Sequence, residues 1–212
     1  MGIDIEHQFY YHSFSQRKMD RTALIPAPGA LASVREIVPL AHPGFVYLFQ
    51  GESDVLYVAV QEMIDRFALQ APVQVIVGGN RIGFEHLPLI AGEQIGSIYE
   101  ILDRIWISRA ETCYQMLDVL QALKPSAAPL VITDMLASFY EDDLTKQEVT
   151  MLLQNCLAHV QRISEMAPVL ISANADALRP NLTEMLERYA DMHFYFDPSN
   201  PPKELQTVLP GM

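Results

Sequence analysis

The apolar positions of this chain follow two alternating rhythms. Short continuous apolar runs rich in Val, Ile and Phe recur along the sequence, each followed by a longer segment whose apolar residues are spaced by three and four. A short continuous run marks a strand buried on both faces, and the longer spacing marks a helix with one buried face. The run Phe45-Val46-Tyr47-Leu48-Phe49 lies between Pro43-Gly44 and Gly51. It reads as a central parallel strand that turns at Gly51 into a helix over 55–69. The same reading predicts strands at 73–77, 105–107, 130–133, 169–172 and 193–196. Helices are predicted at 84–90, 111–123, 145–166 and 182–189, with a short one at 30–37 in a Pro-punctuated lead-in. In the longest helix Val149, Leu152, Leu153, Cys156, Leu157, Val160 and Ile163 share one face.

Strand and helix alternating in this way give an α/β fold, a parallel sheet with helices on both faces. No internal repeat or second domain interrupts the alternation, so one domain over 21–212 is expected, preceded by an arm or tail at 1–20. That first segment carries Phe9, Tyr10, Tyr11 and Phe14 among polar residues. Aromatic side chains are costly to leave in water, so an arm docking onto a neighbouring copy or a partner stands beside the reading as a partly ordered tail.

Composition narrows the function classes. The 212 residues are 50% hydrophobic and 19% charged, the balance of a globular protein. The 26 Asp and Glu outnumber the 14 Lys and Arg, for a net charge of -12. Such a surface repels phosphates, which disfavours direct nucleic-acid binding. The sequence contains no apolar run of the roughly 18 residues that span a membrane, and it does not open on a basic-then-apolar leader. The expectation is a cytoplasmic protein that does not enter a membrane. Cys113 and Cys156 fall in predicted helices without partner spacing and read as buried free thiols. His7, His12, His42, His86, His159 and His193 show no metal spacing. Glu141-Asp142-Asp143 lacks the alternating ligands and glycine of a calcium loop. It reads as a solvated run or a docking patch for a basic partner.

Several segments carry a family resemblance. His42-Pro43-Gly44-Phe45-Val46-Tyr47-Leu48-Phe49-Gln50-Gly51-Glu52-Ser53 is similar to the strand entering a Walker A loop. Val75-Ile76-Val77-Gly78-Gly79-Asn80-Arg81-Ile82-Gly83-Phe84 takes the place of the second core strand, and Arg104-Ile105-Trp106-Ile107-Ser108-Arg109-Ala110-Glu111-Thr112-Cys113-Tyr114-Gln115-Met116-Leu117 looks like the strand and following helix that close the next crossover. Leu130-Val131-Ile132-Thr133-Asp134 is similar to Walker B, and Val169-Leu170-Ile171-Ser172-Ala173-Asn174 to the sensor strand beside it. In this order, over about 42–196, the chain resembles a RecA-type ATPase core, the family of the bacterial and archaeal recombinases and their paralogues. The resemblance implies a RecA-like three-layer sandwich with a mostly parallel sheet.

The departures from the family pattern bear on function. With Gly51 as the first glycine, the second falls on Leu56, the lysine on Tyr57 and the Ser/Thr on Val58, so the site looks filled. No Asp or Glu lies between Val73 and Phe84, where the family's catalytic carboxylate belongs, and Glu85 and Glu93 come too late. Asp134 remains as a weak metal candidate, or as a turn cap serving Thr133 and Ser138. Gly78-Gly79-Asn80-Arg81 reads as a phosphate nest with Arg81 as clamp, or as a turn supporting the strand end. The family's DNA-contacting loops read Ser138-Phe139-Tyr140-Glu141-Asp142-Asp143 and Asp176-Ala177-Leu178-Arg179-Pro180-Asn181, acidic in the first case and with one arginine in the second.

Phosphoryl transfer rests almost entirely on positioning and charge stabilisation, so hydrolysis is not expected, nor any catalytic residue or cofactor. The expectation is a pseudo-ATPase, an accessory or regulatory protein-binding subunit. Its setting in DNA recombination or repair comes by analogy with the family. Its partner is another protein or, through the aromatic arm, a second copy. The alternative is an unorthodox nucleotide-binding ATPase or sensor. It would hold Mg²⁺-ATP through Gly51, Glu52, Ser53, Arg81 and Asp134.

Overall fold

The computed structural model of the chain describes residues 22–23, 41–51, 53–79, 81–83, 98–140, 144–174 and 180–196. Its strands are β1 (Thr22–Ala23), β2 (Val46–Gly51), β3 (Val73–Val77), β4 (Ile105–Arg109), β5 (Leu130–Thr133), β6 (Val169–Asn174) and β7 (Met192–Phe196). All pair in parallel in one sheet, in the order β1-β7-β2-β6-β5-β3-β4. The helices are α1 (Ser53–Gln70), α2 (Ile98–Leu102), α3 (Cys113–Ala122), α4 (Lys146–Ser164) and α5 (Pro180–Tyr189), with a 3-10 turn at Met135–Phe139.

Successive strand residues point to opposite faces, and each face has its own helices. On one face Tyr47, Phe49, Val73, Val75, Val131 and Leu170 pack against Leu56, Val60, Met63, Ile64 and Phe67 of α1. On the other, Leu48, Ile76, Ile132 and Ile171 pack against Met116 and Leu120 of α3, Leu153, Cys156 and Val160 of α4, and Leu182 and Leu186 of α5. The result is an α/β three-layer sandwich. Each fully buried aliphatic or aromatic side chain contributes about 1.5–3 kcal/mol of transfer free energy.

Local chemistry fixes where the helices begin and end. The Thr145 hydroxyl accepts from the Glu148 N–H, and the Glu148 carboxylate accepts from the Thr145 N–H at 2.9 Å, a capping box that starts α4. Thr112 caps α3 by accepting from the Gln115 N–H. At the other end of α3, Arg162 donates to the Leu120 and Leu123 carbonyls at 3.0 and 2.9 Å, tying α4 to α3. Arg104 serves the end of α1 in the same way, through the Ala68 and Leu69 carbonyls.

β3 and β5 match the sequence expectation, β1 falls in the lead-in where no strand was expected, and the other strands differ at their ends. β2 runs through Gly51 instead of turning there, and α1 begins at Ser53 instead of at 55. The reason is the ladder: Gly51 is paired with Asn174 on one side and Phe196 on the other. Both cysteines are buried and neither is in a disulfide. Burial, with a smaller contribution from nearby Cys113, pushes the Cys156 thiol up to about 12, so its reactive thiolate is suppressed. Among the described residues no helix is long and apolar enough to cross a membrane. The arm at 1–20, the helices at 30–37 and 84–90, Glu85, Glu93, Glu141-Asp142-Asp143 and residues 175–179 lie outside the described residues.

Candidate functional site

In an open parallel sheet the carboxyl ends of the strands face a crevice that no helix fills, and ligands bind there. This chain has a cleft of about 210 Å³ in that position. Gly79 beyond β3, Thr133 and Asp134 at the end of β5, and Ser172 and Asn174 of β6 line it. Leu56, Tyr57, Val60 and Gln61 from the first turns of α1 form the opposing wall, and Arg81 stands at the rim. Drug-sized ligands occupy roughly 300–1,000 Å³, so this cleft is narrow.

Asp134 is the hinge of the site. It has left-handed backbone, φ 47° and ψ 51°, which lets β5 break sharply into the 3-10 turn. Aspartate tolerates this conformation better than most residues. Its N–H donates to the Ser172 hydroxyl at 2.8 Å, and its carboxylate accepts from the Asn174 backbone N–H. Both contacts bind the end of β5 to the end of β6. Desolvation raises the Asp134 pKa, opposed by the Asn174 hydrogen bond. The carboxylate makes no side-chain cap, and Ser138 donates instead to the Met135 carbonyl, so the capping role expected for Asp134 is not observed.

The paired glycines after β3 fit against this hinge. A Cβ on Gly78 would stand 2.7 Å from the Asp134 carbonyl oxygen, and one on Gly79 2.8 Å from its carboxylate oxygen. The absence of a Cβ at both positions allows this close approach to Asp134. Thr133 Oγ1, on the cleft wall beside them, is buried and has no hydrogen-bond partner among the described residues.

Residues 81–83 form a strap along one stripe of α1. Arg81 donates to the Asp54 carboxylate at 2.6 Å and lies 4.6 Å from the centre of the Tyr57 ring. The Gly83 N–H donates to the Gln61 side-chain oxygen at 3.1 Å. Positions 54, 57 and 61 lie on one helix face, so the strap holds the outer wall of the cleft. The Arg81–Asp54 pair is exposed on both sides, and a contact of that kind contributes little to stability.

Of the residues singled out in the sequence, Arg81 and Asp134 come together on the cleft. Gly51 does not: it lies within β2, away from the lining. Glu52 and the Ser53 side chain lie outside the described residues. Leu56 and Tyr57 do enter the cleft, but Val58 is not in its lining, so the expected three-residue filling is a two-residue one. Thr133, Ser172 and Gln61 are the lining groups the sequence reading passed over. For Thr133 and Ser172 the signal was a polar residue towards the carboxyl end of an apolar strand, after Ile132 and Ile171; Gln61, inside α1, had none.

The raised Asp134 pKa has a measurable consequence. Its folded pKa exceeds the unfolded value, so its contribution to stability is fully present below about pH 4 and is lost as pH rises through the folded pKa. Asp134→Asn keeps an acceptor and tolerates the left-handed backbone while removing the charge. The variant is therefore more stable than wild type at pH 7, and the gap closes as the pH falls to about 4. Urea unfolding of both proteins across pH 4–8 measures this, and a gap that widens towards acid would contradict it.

Among the described residues no group of three His, Cys, Asp or Glu side chains gathers as a metal site. No protein-family model matches the chain, and no curated protein matches it significantly.

Proposed function

We propose that the chain is a RecA-like pseudo-ATPase that works as an accessory or regulatory subunit by binding another protein. The setting in DNA recombination or repair is the one the sequence resemblance implies. Cytoplasmic residence is part of the same proposal, as is a partner other than nucleic acid, given the net charge of -12.

The passage from β2 to α1 supports this reading. The strand ends at Gly51 and the helix begins at Ser53, leaving one residue where a phosphate-wrapping loop needs several. Leu56 and Tyr57 then occupy the wall where a glycine and a lysine would meet phosphate. Arg81, the cation at the rim, is engaged by Asp54. Asp134, the carboxylate on the lining, is partly desolvated, which raises its pKa, and is already engaged by the Asn174 backbone N–H. A magnesium nucleotide does not fit this set, and no catalytic step follows from it.

Calorimetric titration with Mg²⁺-ATP and ADP tests the proposal, on wild type and on a Tyr57→Lys, Val58→Thr double variant. Neither protein is expected to give saturable heat up to millimolar ligand, because restoring two side chains does not restore a loop. Saturable binding by wild type would overturn the proposal in favour of a second reading, a nucleotide sensor. The unpartnered Thr133 hydroxyl, beside Asp134 and Arg81, is the observation that favours that second reading. Binding would then be lost in Arg81→Ala and Asp134→Ala.

A further inference from the structure

The two edges of the sheet are unlike. One ends in β1, only two residues long, and the other in β4, which has five. Proteins commonly guard an edge with lysine, proline or a bulge, and Ile105-Trp106-Ile107-Ser108-Arg109 has neither Lys nor Pro. β4 binds β3 through the Arg104 carbonyl, which accepts from Val73, and the Ala110 N–H, which donates to Val77. Backbone groups alternate in direction along a strand. Even-numbered residues therefore face β3, and Ile105, Ile107 and Arg109 point their N–H and C=O groups outward. These outward groups have no backbone partner among the described residues.

The side chains around this edge are apolar and exposed. Trp106 is 54% and Ile107 42% exposed, with Tyr99 (77%) on α2 before the strand and Tyr114 (50%) on α3 after it. Aromatic side chains carry on the order of 150–250 Å² each, so these four leave roughly 450 Å² uncovered per copy. Two copies together approach the roughly 1,000 Å² that a specific interface requires.

We propose that the β4 edge pairs with the β4 edge of a second copy, antiparallel about a two-fold axis at Ile107. Centred there, Ile107 opposes Ile107 and Ile105 opposes Arg109, so every outward N–H and C=O of the strand finds its counterpart. A two-fold interface must be self-complementary in this way. Trp106 faces Ser108 of the second copy, with the other Trp106 at the diagonal, within reach of an indole ring. The pairing does not depend on the cleft or on what the cleft binds.

Two acidic chains repel, and salt screens that repulsion while sparing the apolar contact. The full chain is expected to show concentration-dependent mass between one and two chains in sedimentation velocity, shifting towards two chains from 50 to 500 mM NaCl. Ile107→Pro removes only an outward N–H, which β3 does not use. It should weaken pairing at least tenfold while leaving the circular dichroism and unfolding midpoint unchanged. Ile107→Cys supplies an independent test. Opposed residues of such a pair have Cα atoms about 5.5 Å apart, inside disulfide range, whereas Ser108→Cys places its sulfurs too far apart. Mild oxidation should link the first variant into dimers and leave the second unlinked, and the buried native thiols give little background. A wild-type chain that is monomeric at 100 µM in both salts would overturn the proposal. So would a Pro variant that dimerises like wild type, or cross-linking at position 108 as ready as at 107.

Discussion

Gly51→Ala is expected to destabilise the protein by about 2–3 kcal/mol, although alanine ordinarily favours a folded chain over glycine. An alanine Cβ at this position would stand 2.7 Å from the Phe196 carbonyl oxygen and 3.0 Å from the Phe196 Cβ. The first of these is a backbone atom held in the β2–β7 ladder, so it cannot swing aside as a flexible side chain would. Relief requires β7 to separate from β2 at its carboxyl end. Gly51 does not use the left-handed region, which among described glycines belongs to Gly44 at φ 88°. Its role is space, not backbone freedom. Urea unfolding should show a lower midpoint with an unchanged slope, and a midpoint equal to that of wild type would mean the strands are not held this close.

The same glycine shows where the sequence was readable and where it was not. β3 and β5 were legible to the residue, because Pro72 and Pro129 stand immediately before them and Gly78-Gly79 and Asp134 immediately after. Gln50-Gly51 looked like the start of a turn, since local pattern gives a glycine no reason to stay in a strand. That reason lies in β6 and β7, more than a hundred residues away in sequence, and it appears only once the strands are ordered. Gln61, Glu62 and Asp65 of α1 are polar yet buried, with Gln61 under the strap and Glu62 paired with Arg66. Periodicity alone assigns such residues to solvent. The cleft has the same character. Asp134 and Arg81 stood out by type, but Thr133 and Ser172 became lining groups only when β5 and β6 were placed side by side. Nor does any periodicity distinguish an edge strand from a central one. Trp106 thus became informative only with β4 at the end of the sheet.

Phe49→Ala is expected to have the larger effect on stability, a loss of about 3–5 kcal/mol. Phe49 is completely buried in the central strand β2. Its ring stacks on Phe194 at 5.0 Å and 12°, and on Phe196 at 6.1 Å and 27°. Stacked aromatic pairs add about 0.5–1.5 kcal/mol beyond the area they bury, and here one ring serves two pairs. The ring packs between the β2–β7 ladder and helix α1, close-packed elements that cannot fully collapse into the space a phenyl ring leaves, so most of the cavity persists. Since whole-protein stability is commonly about 5–15 kcal/mol, this change removes a third or more of a typical reserve. For a chain of this length the melting temperature should fall by about 6–20 °C. The Asp134 side of the cleft should be spared, because Thr133, Asp134 and Ser172 stand at the ends of β5 and β6, whereas Phe49 packs among β2, β7 and α1. The pH dependence of stability assigned to Asp134 should therefore persist in the Phe49→Ala background. Its loss there would show that the cleft depends on the aromatic stack, and that the two parts of the sheet do not act independently.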